Sequence, residues 1–242
     1  KLYLIPALLC LAGEAAIGYF YFFTAFSSHA DKQYVYIDND DTADSVYIKL
    51  KSVATSHALT GFRTLARHFD YNENIRPGRY AIEPSISTID VFRMIRNGRQ
   101  EPLMLTIPES RTMPQLAARL SAKLMLDSAC IVKILKSNDY CQKLGYDTAT
   151  IASLFVPNTY EVYWNTDIDK FMQRMVKEHD AFWTTERRQK ASRLGLSPEQ
   201  VCTLASIIDE ETANNGEKPM IAGMYLNRLK VGMPLQADPT VK

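Results

Sequence analysis

The hydrophobic pattern divides the chain into an apolar start, a segment of alternating strand and helix signals, and a longer helical remainder. Residues 2–26, LYLIPALLCLAGEAAIGYFYFFTAF, are almost wholly apolar. About 20 such residues suffice to cross a bilayer. The aromatic end, Tyr19 to Phe23 with Phe26, suits a membrane interface. The run also exceeds the apolar core of a cleaved secretory signal, so it predicts a transmembrane anchor over 1–27. Glu14 in mid-segment and Pro6 near the start run against a simple span. Beyond the run, YVYID at 34–38 has the composition of a short strand. Val46, Leu50 and Val53 recur at near-helical spacing and predict a helix over 41–52. A second helix is predicted over 60–69, and the Pro77-Gly78 turn leads into a strand ending at Ile82. A helix over 87–98 starts at Ser87 or Thr88 and stops at Gly98, and 101–108 closes as a strand. That order makes 32–105 a small α+β subdomain.

From 106 to 242 the pattern is mainly helical. Leu116, Leu120 and Leu124 stand four apart in a helix over 112–124, with further helices around 126–137 and 168–183. Between them, a turn at Pro157-Asn158 precedes an aromatic strand-like run to 166. The predicted fold class is α+β: an N-terminal transmembrane helix, a small α+β subdomain and a mainly helical domain.

Composition narrows the function. The 242 residues include 28 basic and 27 acidic side chains, a formal net charge of +1, with no basic stripe. That removes the electrostatic footprint of a nucleic-acid binder. Cys10, Cys130, Cys141 and Cys202 form no C-x-x-C pair, and the four histidines are scattered, so no metal spacing is present. A Cys130–Cys141 disulfide is open in an oxidising compartment; otherwise these are ordinary thiols. No phosphate-cradling glycine loop appears, and no cofactor is expected.

The informative stretch is ASIIDEETANNGEKP at 205–219. Ser197-Pro198-Glu199 is a good helix start, and Val201, Leu204, Ala205 and Ile208 then share one face. Glu211 follows Ile208 by three and falls at the edge of that face, whereas Glu210 points away. Partial burial and two neighbouring acids favour the protonated form of a carboxyl so placed, which is what a general acid needs. From the spacing alone, an ordinary solvated acidic helix end is the simpler reading.

The stretch 204–241 carries a long ungapped resemblance. Ala205-Ser206-Ile207-Ile208, Glu211-Thr212, Glu217, Asn227-Arg228-Leu229, Gly232-Met233, Leu235-Gln236 and Asp238-Pro239-Thr240-Val241 match, position by position, the pattern of the YceG-like family of endolytic murein transglycosylases. RPGRYAI, DVFRMIRNG, TIPESRTMPQLAARL and FVPNTYEVY resemble the family's remaining elements more weakly, the first two in its LysM-like portion. Asp209 replaces the usual Glu, Glu210 a basic residue, Ser110 a glycine and Asn158 an aspartate. The resemblance also implies about a hundred further residues beyond Lys242, within ordinary domain sizes.

The resemblance implies a catalytic domain over 106–242, peptidoglycan glycan strands as substrate, and Glu211 as the single catalytic acid/base. Cell-wall synthases are candidate partners. The protein is then expected in the bacterial inner membrane with its body outside the cytoplasm. Glu217 is either a second acid at the site or a helix-start acid. Gln236, Asp238 and Thr240 either hydrogen-bond sugars or hold their loop, and Asn227 and Arg228 brace the catalytic helix. Tyr160 and Glu161 are further substrate-binding or site-supporting candidates, although aromatic residues in a strand are more often core. A two-carboxylate muramidase and an inactive peptidoglycan-binding scaffold are the rival readings.

Overall fold

Phe62 stands at the centre of the first core, with no exposed surface. The computed structural model describes residues 4–108, 110 and 112–236. They fall into two compact units. The first holds residues up to Thr106 together with Leu120–Leu126 and Thr159–Asp167; the second holds Ile107–Arg119, Asp127–Asn158 and the chain from Ile168 onward.

In the first unit, α1 (Leu4–Phe22) precedes β1 (Gln33–Ile37), α2 (Ala43–Lys51), α3 (Ser56–His68), a 3₁₀ turn, β2 (Gly78–Ile82) and α4 (Thr88–Arg96). Strands β1 and β2 pair antiparallel, from Gln33 opposite Ile82 to Ile37 opposite Gly78. Alternation along β1 turns Val35 and Ile37 inward and leaves Tyr34 and Tyr36 outward. The inward residues meet Val46 and Leu50 of α2, Ala58 and Phe62 of α3, and Val91, Phe92 and Ile95 of α4. Edge contacts from Phe26, Tyr47, Tyr71 and Phe92 surround the Phe62 ring at 5.6–6.3 Å between centroids. Helix starts are set by side-chain caps: Thr42, Thr55 and Ser87 each accept a backbone N–H of the first turn.

The expected transmembrane helix is not present: among the described residues no helix is long and apolar enough to cross a membrane. Helix α1 has 19 residues and carries Gly13, Glu14 and Gly18. Its aromatic end is fastened to the first unit instead. Phe20 stacks on His57 with centroids 4.3 Å apart, and Thr24 Oγ1 lies 3.0 Å from His57 Nε2. The Tyr21 carbonyl sits so close to Gly61 of α3 that an added Cβ would approach it to 2.3 Å. Phe26, assigned to the interface belt, is fully buried in the core. The single-pass anchor, and the inner-membrane location drawn from it, therefore do not hold.

The chain continues through β3 (Leu103–Ile107), α5 (Met113–Ser121), α6 (Ser128–Leu135), α7 (Asn138–Lys143), a second 3₁₀ turn, and β4 (Asn158–Val162), which pairs with β3. It then forms α8 (Ile168–Phe182), α9 (Thr185–Arg193), α10 (Pro198–Glu211) and α11 (Lys218–Lys230). The second unit buries Ile131, Leu135, Cys141, Ile151, Leu154, Phe171, Met172 and Met175. Across the described residues the architecture is mixed α and β, mostly helical. No disulfide forms: Cys141 is buried, Cys130 exposed, and both are free thiols.

Candidate active site at the end of a helix pair

The site is built on α10 and α11. Ser197 and Gln200 form a reciprocal capping box: Ser197 Oγ accepts the Gln200 N–H at 3.2 Å, and Gln200 Oε1 accepts the Ser197 N–H at 2.8 Å. Pro198 occupies the first turn, where its missing N–H costs nothing. The helix then packs Leu204 and Ile208 against Tyr225 of α11, with Ile207, Ile221, Ala222 and Leu226 around them. Lys218 closes the pair from the polar side with a 2.6 Å ion pair to Asp209.

Glu211 is the last residue of α10 and is exposed, not half-buried as its spacing from Ile208 predicts. The apolar contact between the helices ends at Ile208, one turn earlier. The Tyr225 hydroxyl reaches it instead, donating to Glu211 Oε1 at 2.6 Å. Tyr225 is 2% exposed. Its ring is thus a wedge in the helix interface and its hydroxyl an orienting donor for the carboxyl.

The loop after Glu211 folds on itself. Thr212 Oγ1 donates to Glu217 Oε2 at 2.8 Å and accepts the Asn214 N–H at 3.0 Å. Asn214 Nδ2 donates to Glu217 Oε1 at 3.1 Å, while Asn214 Oδ1 accepts the Gly216 N–H at 3.0 Å. Both carboxylate oxygens of Glu217 are therefore committed to the loop. Glu217 stands at the N-cap position of α11, yet its side chain makes no cap hydrogen bond and turns back towards Thr212.

Arg228 donates to the Leu235 carbonyl, and its guanidinium carbon lies 6.0 Å from the Tyr225 ring centroid. Among the described residues it holds the segment after α11 and pairs with no acid. Asn227 and Gln236 are exposed, Gln236 in a left-handed conformation with φ 48°. Asp238 and Thr240 lie outside the described residues. Tyr160 and Glu161 belong to β4 in the first unit, Tyr160 buried and Glu161 exposed. The structure thus places Glu211, Glu217 and Arg228 on one helix pair, Glu211 and Arg228 beside Tyr225 and Glu217 against Thr212 and Asn214. Among the described residues no three His, Cys, Asp or Glu side chains are arranged to hold a metal ion.

Tyr225 is the residue that sequence reasoning missed. Its signal is its position four after Ile221 on the apolar stripe of α11. A tyrosine buried there must find a partner for its hydroxyl. Chemically, the pair is a carboxyl group fixed through one oxygen by a phenol, at a helix end open to solvent. Such a group can exchange a proton with a bound substrate through its second oxygen.

Comparison with known proteins identifies the family. The profile of the YceG-like family matches residues 35–242. An endolytic murein transglycosylase of Streptococcus pneumoniae (serotype 2, strain D39) is 25% identical over 218 residues, covering 78% of this chain and 38% of that protein. The protein of that name from Bacillus subtilis (strain 168) is 25% identical over 152 residues, covering 57% of this chain and 42% of its own length. The chain therefore spans about two fifths of the curated relatives it matches. The crystal structure of a YceG-like protein from Listeria monocytogenes shares the fold with a TM-score of 0.51 at 23% identity, covering 88% of this chain and 75% of that one. With the family profile covering the whole of the α10–α11 pair and most of the chain before it, this chain belongs to the YceG-like family.

Proposed function

We propose that this protein is an endolytic peptidoglycan lytic transglycosylase with Glu211 as its single acid/base. The observation that carries the reading is the 2.6 Å hydrogen bond from Tyr225 to Glu211, which fixes one carboxyl oxygen within the motif-bearing helix pair. The names of the streptococcal and bacillar relatives support the activity and the murein substrate.

In this reading, Glu211 protonates the oxygen linking N-acetylmuramic acid C1 to O4 of N-acetylglucosamine. The C1–O bond breaks through an oxocarbenium-like transition state, releasing a free 4-hydroxyl. The Glu211 carboxylate then takes the proton from the muramic C6 hydroxyl as O6 attacks C1. The products are a 1,6-anhydro end and a new non-reducing end, and Glu211 is regenerated without water. An intramolecular nucleophile gains from proximity, so one carboxyl suffices. A hydrolase needs a second carboxyl about 5–9.5 Å away. Glu217 is the nearby acid in sequence, and its commitment to Thr212 and Asn214 favours the single-acid route. The β1–α2–α3–β2 order over 32–105 would serve as the LysM-like, glycan-contacting module.

The test compares the intact protein with Glu211→Gln on purified peptidoglycan, with mass spectrometry of the products. Anhydro-muramic ends from the wild type, absent from the variant, support the proposal. Reducing ends would instead mean hydrolysis, and no cleavage by the wild type would leave a binding role.

A further inference from the structure

We infer that the cleft between the 145–150 turn and the start of α10 is a second sugar subsite, taking a neutral N-acetylhexosamine unit of the same glycan strand. The cavity holds about 530 Å³, and Tyr146, Asp147, Thr150, Glu199, Gln200 and Thr203 are among its lining residues. That volume lies within the range of small-ligand sites, roughly 300–1,000 Å³. This inference rests on the proposed glycan substrate.

The cleft has a firm back wall. The Tyr146 hydroxyl lies 3.0 Å from Nδ1 of His179, itself only 2% exposed. The His179 ring meets Tyr146 edge-on at 5.7 Å. Tyr146 thus presents a ring that cannot swing away, of the kind that packs on the C–H face of a sugar.

Hydrogen-bonding capacity remains after the internal bonds are counted. Asp147 Oδ1 accepts from the Ala149 and Thr150 N–H groups and the Thr150 hydroxyl, which leaves Oδ2. Gln200 spends Oε1 on its cap and keeps its amide N–H₂. Thr203 Oγ1 donates to the Glu199 carbonyl and keeps its lone pairs. The Glu199 carboxyl is pushed up by burial but held below its usual range overall, through hydrogen bonding from Ser197 and its own backbone. An amide donor, hydroxyl and carboxylate acceptors and one aromatic ring suit a polyhydroxylated, N-acetylated sugar. No lysine or arginine lines the cleft. Two carboxylates there repel anions, which favours the uncharged N-acetylglucosamine over the lactyl-bearing muramic unit.

Position links the cleft to Glu211. At 100° per residue, Gln200, Thr203 and Glu211 fall within about 80° of one another on α10. Thr203 and Glu211 are eight residues apart, a rise of about 12 Å. One glycan strand laid along this side of α10 would meet both.

The test is binding, so it stands apart from cleavage. Triacetylchitotriose, a neutral N-acetylglucosamine trimer, is titrated into the intact protein carrying Glu211→Gln, with backbone amide shifts followed by NMR. Shifts are expected at 145–150 and 197–203. Thr203→Trp fills the cleft from an exposed position and should weaken the binding at least tenfold. Gln200→Ala, its fold checked by thermal melting, should weaken it in the same direction. Absent shifts in the cleft, or unchanged affinity in both variants, would overturn the inference. Calcium chloride producing the same shifts without sugar would overturn it in favour of a cation site. Failure to cleave peptidoglycan with the cleft shifts intact would remove the transglycosylase reading alone.

Discussion

Tyr225 does two jobs with one side chain, and Tyr225→Phe separates them. The variant keeps the ring that packs on Leu204 and Ile208 and removes the donor to Glu211 Oε1. A hydrogen bond to a charged group contributes about 1.5–3 kcal/mol. If Glu211 is the acid/base, kcat should fall on the order of 10- to 100-fold with KM nearly unchanged, and the melting temperature should drop only by what the lost hydrogen bond contributes. Equal kcat in the variant would mean the carboxyl needs no such orientation. Glu217→Gln should behave in the opposite way: it replaces an acceptor in the loop by a donor, costing about 0.5–1.5 kcal/mol of stability while sparing most of the rate. A loss as deep as that of Glu211→Gln would make Glu217 a catalytic residue. His179 gives a pH dependence. Burial lowers its affinity for a proton below that of an ordinary histidine at 6.5. The unfolded chain therefore takes up the proton first as pH falls through 6.5, and folding loses stability there. Urea unfolding at pH 5 and pH 7.5 should show that loss, and His179→Gln should reduce the difference. The position of Glu211 at the end of an apolar stripe was legible from spacing. Its exposure was not, because a helical wheel records direction and not where the partner helix stops.

At the scale of elements, the legible ones have strong stripes or caps. Val46 and Leu50, or Val91 and Ile95, repeat at helical spacing behind a capping residue, and α2 and α4 follow. Two helices gave no such signal. Helix α9, TERRQKASR, is polar nearly all round and buries only Ala191; its evidence is the Thr184 cap, accepting the Arg187 N–H at 3.3 Å. Helix α7 has six residues and buries only Cys141. The junction of α1 with α3 rests on a close approach that only glycine permits. Gly61→Ala would set a methyl group 2.3 Å from the Tyr21 carbonyl, so the end of α1 must move. Overpacking of this kind costs about 1–3 kcal/mol. Thermal melting should fall accordingly, and limited proteolysis should find new cleavage within 19–26. An unchanged digest would show that α1 is not held there. Replacing Ser197 by Ala should cost about 1 kcal/mol of α10 stability through the lost cap, readable as a lower urea midpoint.

For the whole molecule, the apolar start is the instructive misreading. Hydropathy along residues 2–26 registers an apolar run, and a run long enough for a bilayer looks the same when its end packs on protein. Phe26 buried beside Phe62 and Phe20 on His57 are tertiary facts that no window of sequence contains. Nor does composition mark the return of Leu120–Leu126 and Thr159–Asp167 to the first unit. The charge balance was legible and has a consequence at this scale. A formal net charge of +1 gives little long-range steering. Association with a neutral glycan oligomer should change less than about threefold as the Debye length shrinks from about 30 Å at 0.01 M salt to about 8 Å at 0.15 M. Stopped-flow binding over that range checks it, and a tenfold change would point to a local field not captured by the total.

The ring of hydrogen bonds through Thr212, Asn214, Gly216 and Glu217 is closed by the loop's own groups. Its conformational freedom has already been surrendered during folding. Docking of a glycan beside Glu211 would then require no further ordering of that loop, and calorimetry should record an association free of the large entropic penalty that accompanies loop closure.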